Sequence, residues 1–460
     1  MNSQSKKMEL LGSTSIPKAL LAMGIPTMIG MLVNAFYNLV DAYFVGGLGE
    51  SQMGAISVVY PLGQVVVGLG LLFGNGAASY ISRLLGRGDK ENADKVASTA
   101  LYSSVSVGAV IIIISMVFLH PILKLLGATD SILPYAATYA GIYIVSCIFN
   151  VFNVTMNNIV TSEGAAKTTM CALLTGAVLN IALDPLFIYV FDLGVAGAAI
   201  ATAISQVVST CVYLTYIFRK KSVFHFRFKD CTYTKEIMSE IFKIGIPTLV
   251  FQILTSVSIS LINNAAGDYG DSAIAGMGVV TRLISMGSLS VFGFIKGFQP
   301  IAGYSYGAKK FDRLREAIKT SILWSTVFCV IFGVILALFP TAIVSRFTKG
   351  DAEMIRIGAA SLRANGISIM LFGFYTVYSS LFLALGKGRE GFILGACRQG
   401  ICFIPVILLL PTVWGLNGIM YAQPIADVLS AVITVFMAIP LHKKLNEMQK
   451  QTAAISTNNN

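Results

Sequence analysis

The stretch GIPTMIGMLVNAFYNLVDAYF, residues 24–44, is apolar for most of its length yet carries Asn34, Asn38 and Asp41. It lies within a hydrophobic run from 17 to 46, longer than the ~20 residues that cross a bilayer as a helix. The three polar positions are spaced i, i+4 and i+7, so on a helix they share one face. Polar groups inside a span are expensive and tend to be retained for function. This run therefore says that the chain is built for lipid and that its first helix has a working face.

Eleven further runs of the same kind follow, at 53–82, 96–119, 134–161, 168–191, 195–218, 241–267, 273–303, 317–345, 354–385, 391–413 and 415–440. Composition agrees, with 55% hydrophobic and only 12% charged residues, against about 25% charged in soluble proteins. The expected fold is an all-α integral membrane protein. The net charge of +11 is accounted for by topology, so no nucleic-acid partner is expected. Lys6, Lys7, Arg83, Arg87, Lys90, Arg219 to Lys221, Lys309, Lys310, Arg313 and Lys443 fall on one side of the spans, and little beyond Lys124, Arg346 and Lys349 falls on the other. That bias places both termini in the cytoplasm. Residues 1–15 form a polar segment with no cleavable signal, and the tail from Lys443 to Asn460 is expected to be disordered. Seven scattered cysteines, without CxxC pairs, predict neither disulfides nor zinc.

The chain repeats at an offset of about 221 residues. GIP at 24–26 recurs at 245–247, AISVV at 55–59 matches GMGVV at 276–280, and the basic loop GRGDKENADK from Gly86 answers GAKKFDRLRE from Gly307. LGVAGAA from Leu193 aligns with WGLNGIM from Trp414. An even number of spans per half makes the repeat parallel. The expected layout is an N-lobe at 16–218, a basic inter-lobe loop at 219–240, a C-lobe at 241–440 and a cytoplasmic tail at 441–460, with the two six-helix lobes around a central cleft. Such duplications are common in secondary transporters.

The N-lobe spans carry most of the polar faces. NIALDPLF places Asn180 one turn before Asp184, followed by Pro185; Thr202, Gln206 and Ser209 line up in span six, and Asn150, Asn153 and Asn157 in span four. A carboxylate held out of water favours its neutral form, and beside amide and hydroxyl oxygens it can instead hold Na⁺. Asp41 and Asp184 are thus candidate ion-coupling acids, although Asn and Thr also serve as plain inter-helix bonds. In the C-lobe, Arg282, Lys296, Arg363 and Arg398 stand against a single intramembrane acid, Asp427. The arginines and Asp427 form a candidate ionic network, while some of these cations could equally face a wet cavity or, as for Lys296 and Arg398, snorkel to nearby span ends. Met28, Phe36, Tyr37 and Tyr139 are candidate cavity walls, together with Asn34, Asn38, Asn153, Asn157 and Gln206. Pro26 and Pro185 are candidate hinges. No GxxxxGK[ST], HExxH or GxSxG occurs, so neither ATP-driven transport nor an enzyme is expected, and no cofactor.

NIALDPLFI with GVAGAAIATAISQ after it, FQPIAGYSYGAKK at 298–310, and the paired openings of spans one and seven resemble the multidrug and toxic compound extrusion (MATE) family over nearly the whole chain, closest to its DinF-like, MepA-type bacterial branch. The resemblance implies antiport at the bacterial inner membrane, with lipophilic and often cationic drugs expelled as H⁺ or Na⁺ enters. It also implies a coupling site on Asp41, Asn180, Asp184 and Thr202, with Tyr139 and Asn157 beside it. The NorM branch uses acids in spans seven and ten; here span seven has none and span ten offers only Glu353 at its start. The runner-up function is a flippase for lipid-linked saccharides, which would use Arg282, Arg363 and Arg398 on a pyrophosphate; a passive channel comes third. A monomer is expected, since one chain forms the whole pathway.

Overall fold

The computed structural model describes residues 3–48, 50–347 and 351–458. Within them, twelve helical segments are long and apolar enough to cross a membrane. Helices follow from the solvent, because lipid offers no partner to a free backbone N–H or C=O. A short helix α1 (Ser3–Gly12) comes first. The N-lobe comprises α2 (Ile16–Gly46), α3 (Glu50–Arg87), α4 (Lys90–Val117), the short α5 (Leu119–Leu125), α6 (Leu133–Ser162), α7 (Ala166–Pro185) and α8 (Gly194–Phe218). The C-lobe comprises α9 (Lys235–Gly267), α10 (Asp271–Gly307), α11 (Phe311–Leu338), the short α12 (Pro340–Val344), α13 (Ala352–Ser368), α14 (Phe372–Ala384), α15 (Gly388–Ala396), α16 (Phe403–Trp414) and α17 (Leu416–Asn458). The pairs α13–α14 and α15–α16 each form one span.

Helix ends are set locally. Pro17 occupies the first turn of α2, where its missing N–H has no partner to lose. Asp89, Thr234 and Asp351 cap α4, α9 and α13 by accepting from the backbone N–H of Asn92, Ile237 and Met354. The Met354 N–H, with the Ser272 hydroxyl, holds the Asp351 carboxyl below the usual carboxylate range. α2 runs unbroken through Pro26, whereas α7 passes from Pro185 into a wide π-type turn, Leu186–Val190.

The outer surface is inverted relative to a soluble protein. Val110, Ile113 and Val117 on α4, and Leu323, Val327, Ile331 and Leu338 on α11, are exposed stripes at helical spacing, which suits contact with lipid chains. Inside, the lobes meet where α2 and α3 pack on α9 and α10. A Cβ at Gly86 would lie 2.1 Å from the Tyr304 carbonyl oxygen, and one at Gly307 would lie 2.1 Å from that of Arg83. The offset of about 221 residues carries Gly86 onto Gly307 and position 83 onto 304. This contact is therefore its own image under the repeat, as an axis along the membrane normal requires.

Polar bonds reinforce the same seal. Arg83 Nη2 reaches Glu240 Oε2 at 2.6 Å, and the Tyr80 hydroxyl donates to Glu236 Oε1 at 3.0 Å. Both acids lie in α9, which begins at Lys235, earlier than the expected start at 241. Span seven thus does carry acids, at its very start, and Glu240 is spent on the arginine opposite. The seal sits at the end holding both termini, where Lys310 Nζ donates to the Gly12 carbonyl (2.8 Å) and Gln449 of α17 donates to Asp312 (2.6 Å).

Both terminal segments contain helix, and for the C-terminal one this departs from expectation. The polar segment 1–15 contains α1, which touches both lobes. Lys7 pairs with Glu163 at the end of α6 (3.1 Å) and donates to the Tyr216 hydroxyl and the Lys221 carbonyl, while Arg313 of α11 donates to the carbonyls of Leu11 and Thr14. The tail expected to be disordered continues α17 to Asn458. Its run KKLNEMQKQTAA is rich in strong helix formers, and polarity alone was a poor guide there. Lys349, Asn459 and Asn460 lie outside the described residues.

Candidate functional site

α2 and α7 pack side by side and bring the first polar stripe against the second. Asp41 and Asp184 face one another, and Asn180 Nδ2 donates to Asp184 Oδ1 at 3.4 Å. Asp184 is fully buried and Asn180 nearly so. Among the described residues, the charged group facing each carboxyl is the other. Like charges facing each other out of water repel, and a proton or a bound cation between them removes the repulsion. Three buried oxygens here have no hydrogen-bond partner: Asp41 Oδ1, Asp184 Oδ2 and Asn180 Oδ1. Such oxygens suit a hard cation or a proton. Tyr37 and Tyr139 lie close enough to feel the Asp41 charge. Thr202 is half-buried on α8 and, among the described residues, makes no side-chain bond to the pair.

The rest of the N-lobe polar set has other occupations. Asn38 Nδ2 donates to the carbonyl and Oδ1 of Asn34, so these exposed amides form a local ladder. Asn153 donates to the carbonyl and Oε1 of Gln206 and accepts from Thr210, which ties α6 to α8. Tyr139 stacks on Tyr143 with ring centroids 5.4 Å apart, and Phe36 points outward. Met28 abuts Gly293 at the lobe junction.

A central cavity of about 560 Å³ lies between the lobes, within the range of drug-sized sites. Its walls come mainly from the C-lobe and include Phe251, Met277, Phe292 and Tyr375. None of Met28, Asn34, Phe36, Tyr37, Asn38, Tyr139, Asn153, Asn157 or Gln206 lines it. Helical periodicity places these residues on shared faces, but those faces turn to the lobe interior or outward, except Met28 and Asn157, which meet the C-lobe at the junction.

In the C-lobe, Arg398 Nε bonds Asp427 Oδ1 at 2.8 Å, Gln423 donates to the same oxygen, and Ser368 donates to Oδ2 at 2.8 Å. The guanidinium also lies over the Phe372 ring, 4.6 Å from its centroid. Arg398 sits in a π-type turn, Cys397–Ile401. Arg282 and Arg363 do not join this network; both are exposed. Thr281 and Asn365 line the cavity, and Arg282, about 100° round the helix from Thr281, and Arg363, about 200° from Asn365, face away. We expect Asp427→Asn to strand Arg398 and destabilise the protein by about 3–5 kcal/mol, while the Arg398→Met/Asp427→Leu double variant recovers most of the loss. Melting temperatures of the four proteins in detergent decide this, and an Asp427→Asn protein as stable as wild type would refute it.

Lys296, a cation expected either to snorkel or to face a wet cavity, lines the cavity. It does not snorkel to a span end; it crosses the lobe junction and donates to Asn157 Oδ1, whose amide also donates to the Tyr213 hydroxyl at 3.3 Å. The sequence signal was a lone lysine in a long apolar run, which snorkelling explained equally well.

The sequence profile of the MatE family matches residues 26–186 and again 247–409, once in each lobe. The chain is 32% identical over 433 residues to the multidrug export protein MepA of Staphylococcus saprophyticus, covering 94% of this chain and 95% of that one. It is 32% identical over 429 residues to MepA of Staphylococcus aureus, covering 93% and 94%. Among solved structures, it superposes on a crystal structure of MATE in complex with MaL6 with TM-score 0.90 at 26% identity, over 97% of this chain and 99% of that one. An outward-facing multidrug resistance MATE family transporter of the MOP superfamily gives TM-score 0.90 at 27% identity, with the same coverage. Twelve spans, one family match per lobe and relatives aligned end to end agree with the motifs of spans five, six and eight, and the chain belongs to the MatE, or multidrug and toxic compound extrusion, family.

Proposed function

We propose that this chain is a multidrug exporter of the bacterial inner membrane, working as a monomeric antiporter that couples drug efflux to entry of H⁺ or Na⁺ at Asp41 and Asp184. The observation that carries the reading is the facing carboxyl pair with its three unpartnered oxygens, set apart from a drug-sized cavity. Separate ion and drug sites fit antiport, since each ligand can bias the same two-state element from its own place. α2 is that element. Asp41 lies near one end of it, and Thr27 donates to the Gly293 carbonyl of α10 at 2.6 Å nearer the other. Neutralising Asp41 changes how α2 sits on α7, and α2 passes the change to the lobe junction around Pro26. Thr202 serves as a further oxygen once α8 closes on the pair. Both termini are cytoplasmic on the charge bias of the loops.

The flippase reading has less support, because Arg282 and Arg363 are exposed and Arg398 is neutralised by Asp427. The test is uptake of a fluorescent lipophilic drug into everted membrane vesicles, whose lumen is the export side, with a pH gradient and a Na⁺ gradient imposed separately. Uptake driven by one gradient supports the antiporter and names its ion. Movement under neither gradient overturns the reading.

A further inference from the structure

The charge inside the central cavity does not match a site made for cations. Two ionisable side chains other than tyrosine appear among its described walls, Lys296 and Arg398, and neither an aspartate nor a glutamate does. Arg398 is cancelled by Asp427. Lys296 is not cancelled: its hydrogen-bond acceptor is a neutral amide, Asn157, and among the described residues it has no ion pair. One turn further along α10, Gln299 also faces the cavity, and its Nε2 is buried without a partner. An ammonium and an amide N–H at i and i+3 present two donors on one helix face, and a carboxylate accepts two such bonds at once.

We infer that the cavity binds amphiphiles carrying a single carboxylate, with the carboxylate on Lys296 Nζ and the Gln299 amide and the apolar body against Phe251, Phe292 and Met277. This rests on the exporter reading and names its substrate class. One free lysine balances one negative charge; a pyrophosphate would leave further charge unpaired in a largely apolar cavity, which is unfavourable. A zwitterion fits provided that its carboxylate faces Lys296, whereas a simple cation meets a like charge and no counter-charge.

The test uses three probes with one body: 1-pyrenebutyrate, 1-pyrenebutanol and 1-pyrenebutyltrimethylammonium. Binding is measured by fluorescence on the full chain in phosphatidylcholine nanodiscs. Wild type is expected to bind the butyrate at least about tenfold more tightly than the trimethylammonium, a difference well within what one charge contact supplies at a partly buried site. Lys296→Met should erase that preference, Lys296→Glu should reverse it, Lys296→Arg should keep most of it, and Gln299→Leu should weaken butyrate binding severalfold with little effect on the alcohol. Equal wild-type affinity for butyrate and trimethylammonium overturns the proposal, and that measurement needs no variant to fold. So does a preference that survives Lys296→Met. Loss of butyrate binding when phosphatidic acid is added to the nanodiscs would assign the donors to a lipid headgroup and overturn the carboxylate reading. Uptake of the probes into proteoliposomes distinguishes the two levels: a charge preference in binding with no transport of any probe sinks the exporter reading and leaves the site.

Discussion

Replacing Asp41 or Asp184 by asparagine is expected to reduce gradient-driven efflux to background, while the folded protein still binds drug in the central cavity. The reason is arithmetic as much as chemistry. Moving the lobes from 1:99 to 99:1 requires an ion that binds one state about 10⁴-fold more tightly than the other. In this site the differential can come from two facing carboxyls that need a positive charge in one arrangement and not in the other. An amide has nearly the shape of a carboxyl but neither the charge nor the exchangeable proton, so the helices should still pack and the switch should be lost. Asn180→Leu removes one oxygen and one donor to Asp184 and is expected to lower efflux less severely. Everted vesicles and a direct binding assay on the same protein separate the two effects. Full efflux in the Asp41→Asn/Asp184→Asn double variant would move the coupling elsewhere.

The second large effect is expected far from either ligand. Glu163 is completely enclosed and accepts from Lys7, the Tyr216 hydroxyl, Ser222 Oγ at 2.9 Å and the backbone N–H of Val223 at 2.6 Å. Replacing it by alanine leaves the Lys7 ammonium buried without its counter-charge and empties three further bonds. A loss of about 3–5 kcal/mol is expected for such a change, read as a lower melting temperature in detergent. The Lys7→Met/Glu163→Leu pair should restore much of it, because a well-packed apolar pair removes the stranded charge. α1 also accepts from Arg313 and Lys310 of the C-lobe, so freeing it should loosen the lobes at the terminus end. Spin labels on the starts of α4 and α11 would record a broader distance distribution. An unchanged melting temperature in Glu163→Ala would show that α1 holds nothing.

How far the sequence carried this picture depends on whether the signal was local. The spans were legible because lipid demands long apolar runs, and the repeat because equal offsets join short motifs; Gly86 and Gly307 show the offset surviving as a contact. Asp41, Asn180 and Asp184 were legible because a carboxyl or amide stands out in apolar surroundings and the stretch NIALDPLFI matched the family pattern. The cavity walls were not legible. Periodicity says which residues share a face but not whether that face turns to the lobe interior, the cleft or lipid, and Tyr139, Asn153 and Gln206 went to the interior. Arg282 and Arg363 failed for the same reason, by a one- or two-residue rotation. The docking of α1 had no local signal, since its partner Glu163 lies 156 residues away.

The glycine contacts at the lobe junction have a bearing on leakage. A carrier driven by a gradient across the membrane loses that gradient if a file of water ever connects the two faces. At Gly86 and Gly307 the opposing main chains approach so closely that even a methyl group would collide, and no water molecule fits between them. Around this backbone contact the cross-lobe Arg83–Glu240 pair and the Tyr80–Glu236 bond must part and take up water whenever the junction opens. The main-chain contact makes the junction watertight when shut, and the ion pair and hydrogen bonds beside it add to the free energy of opening.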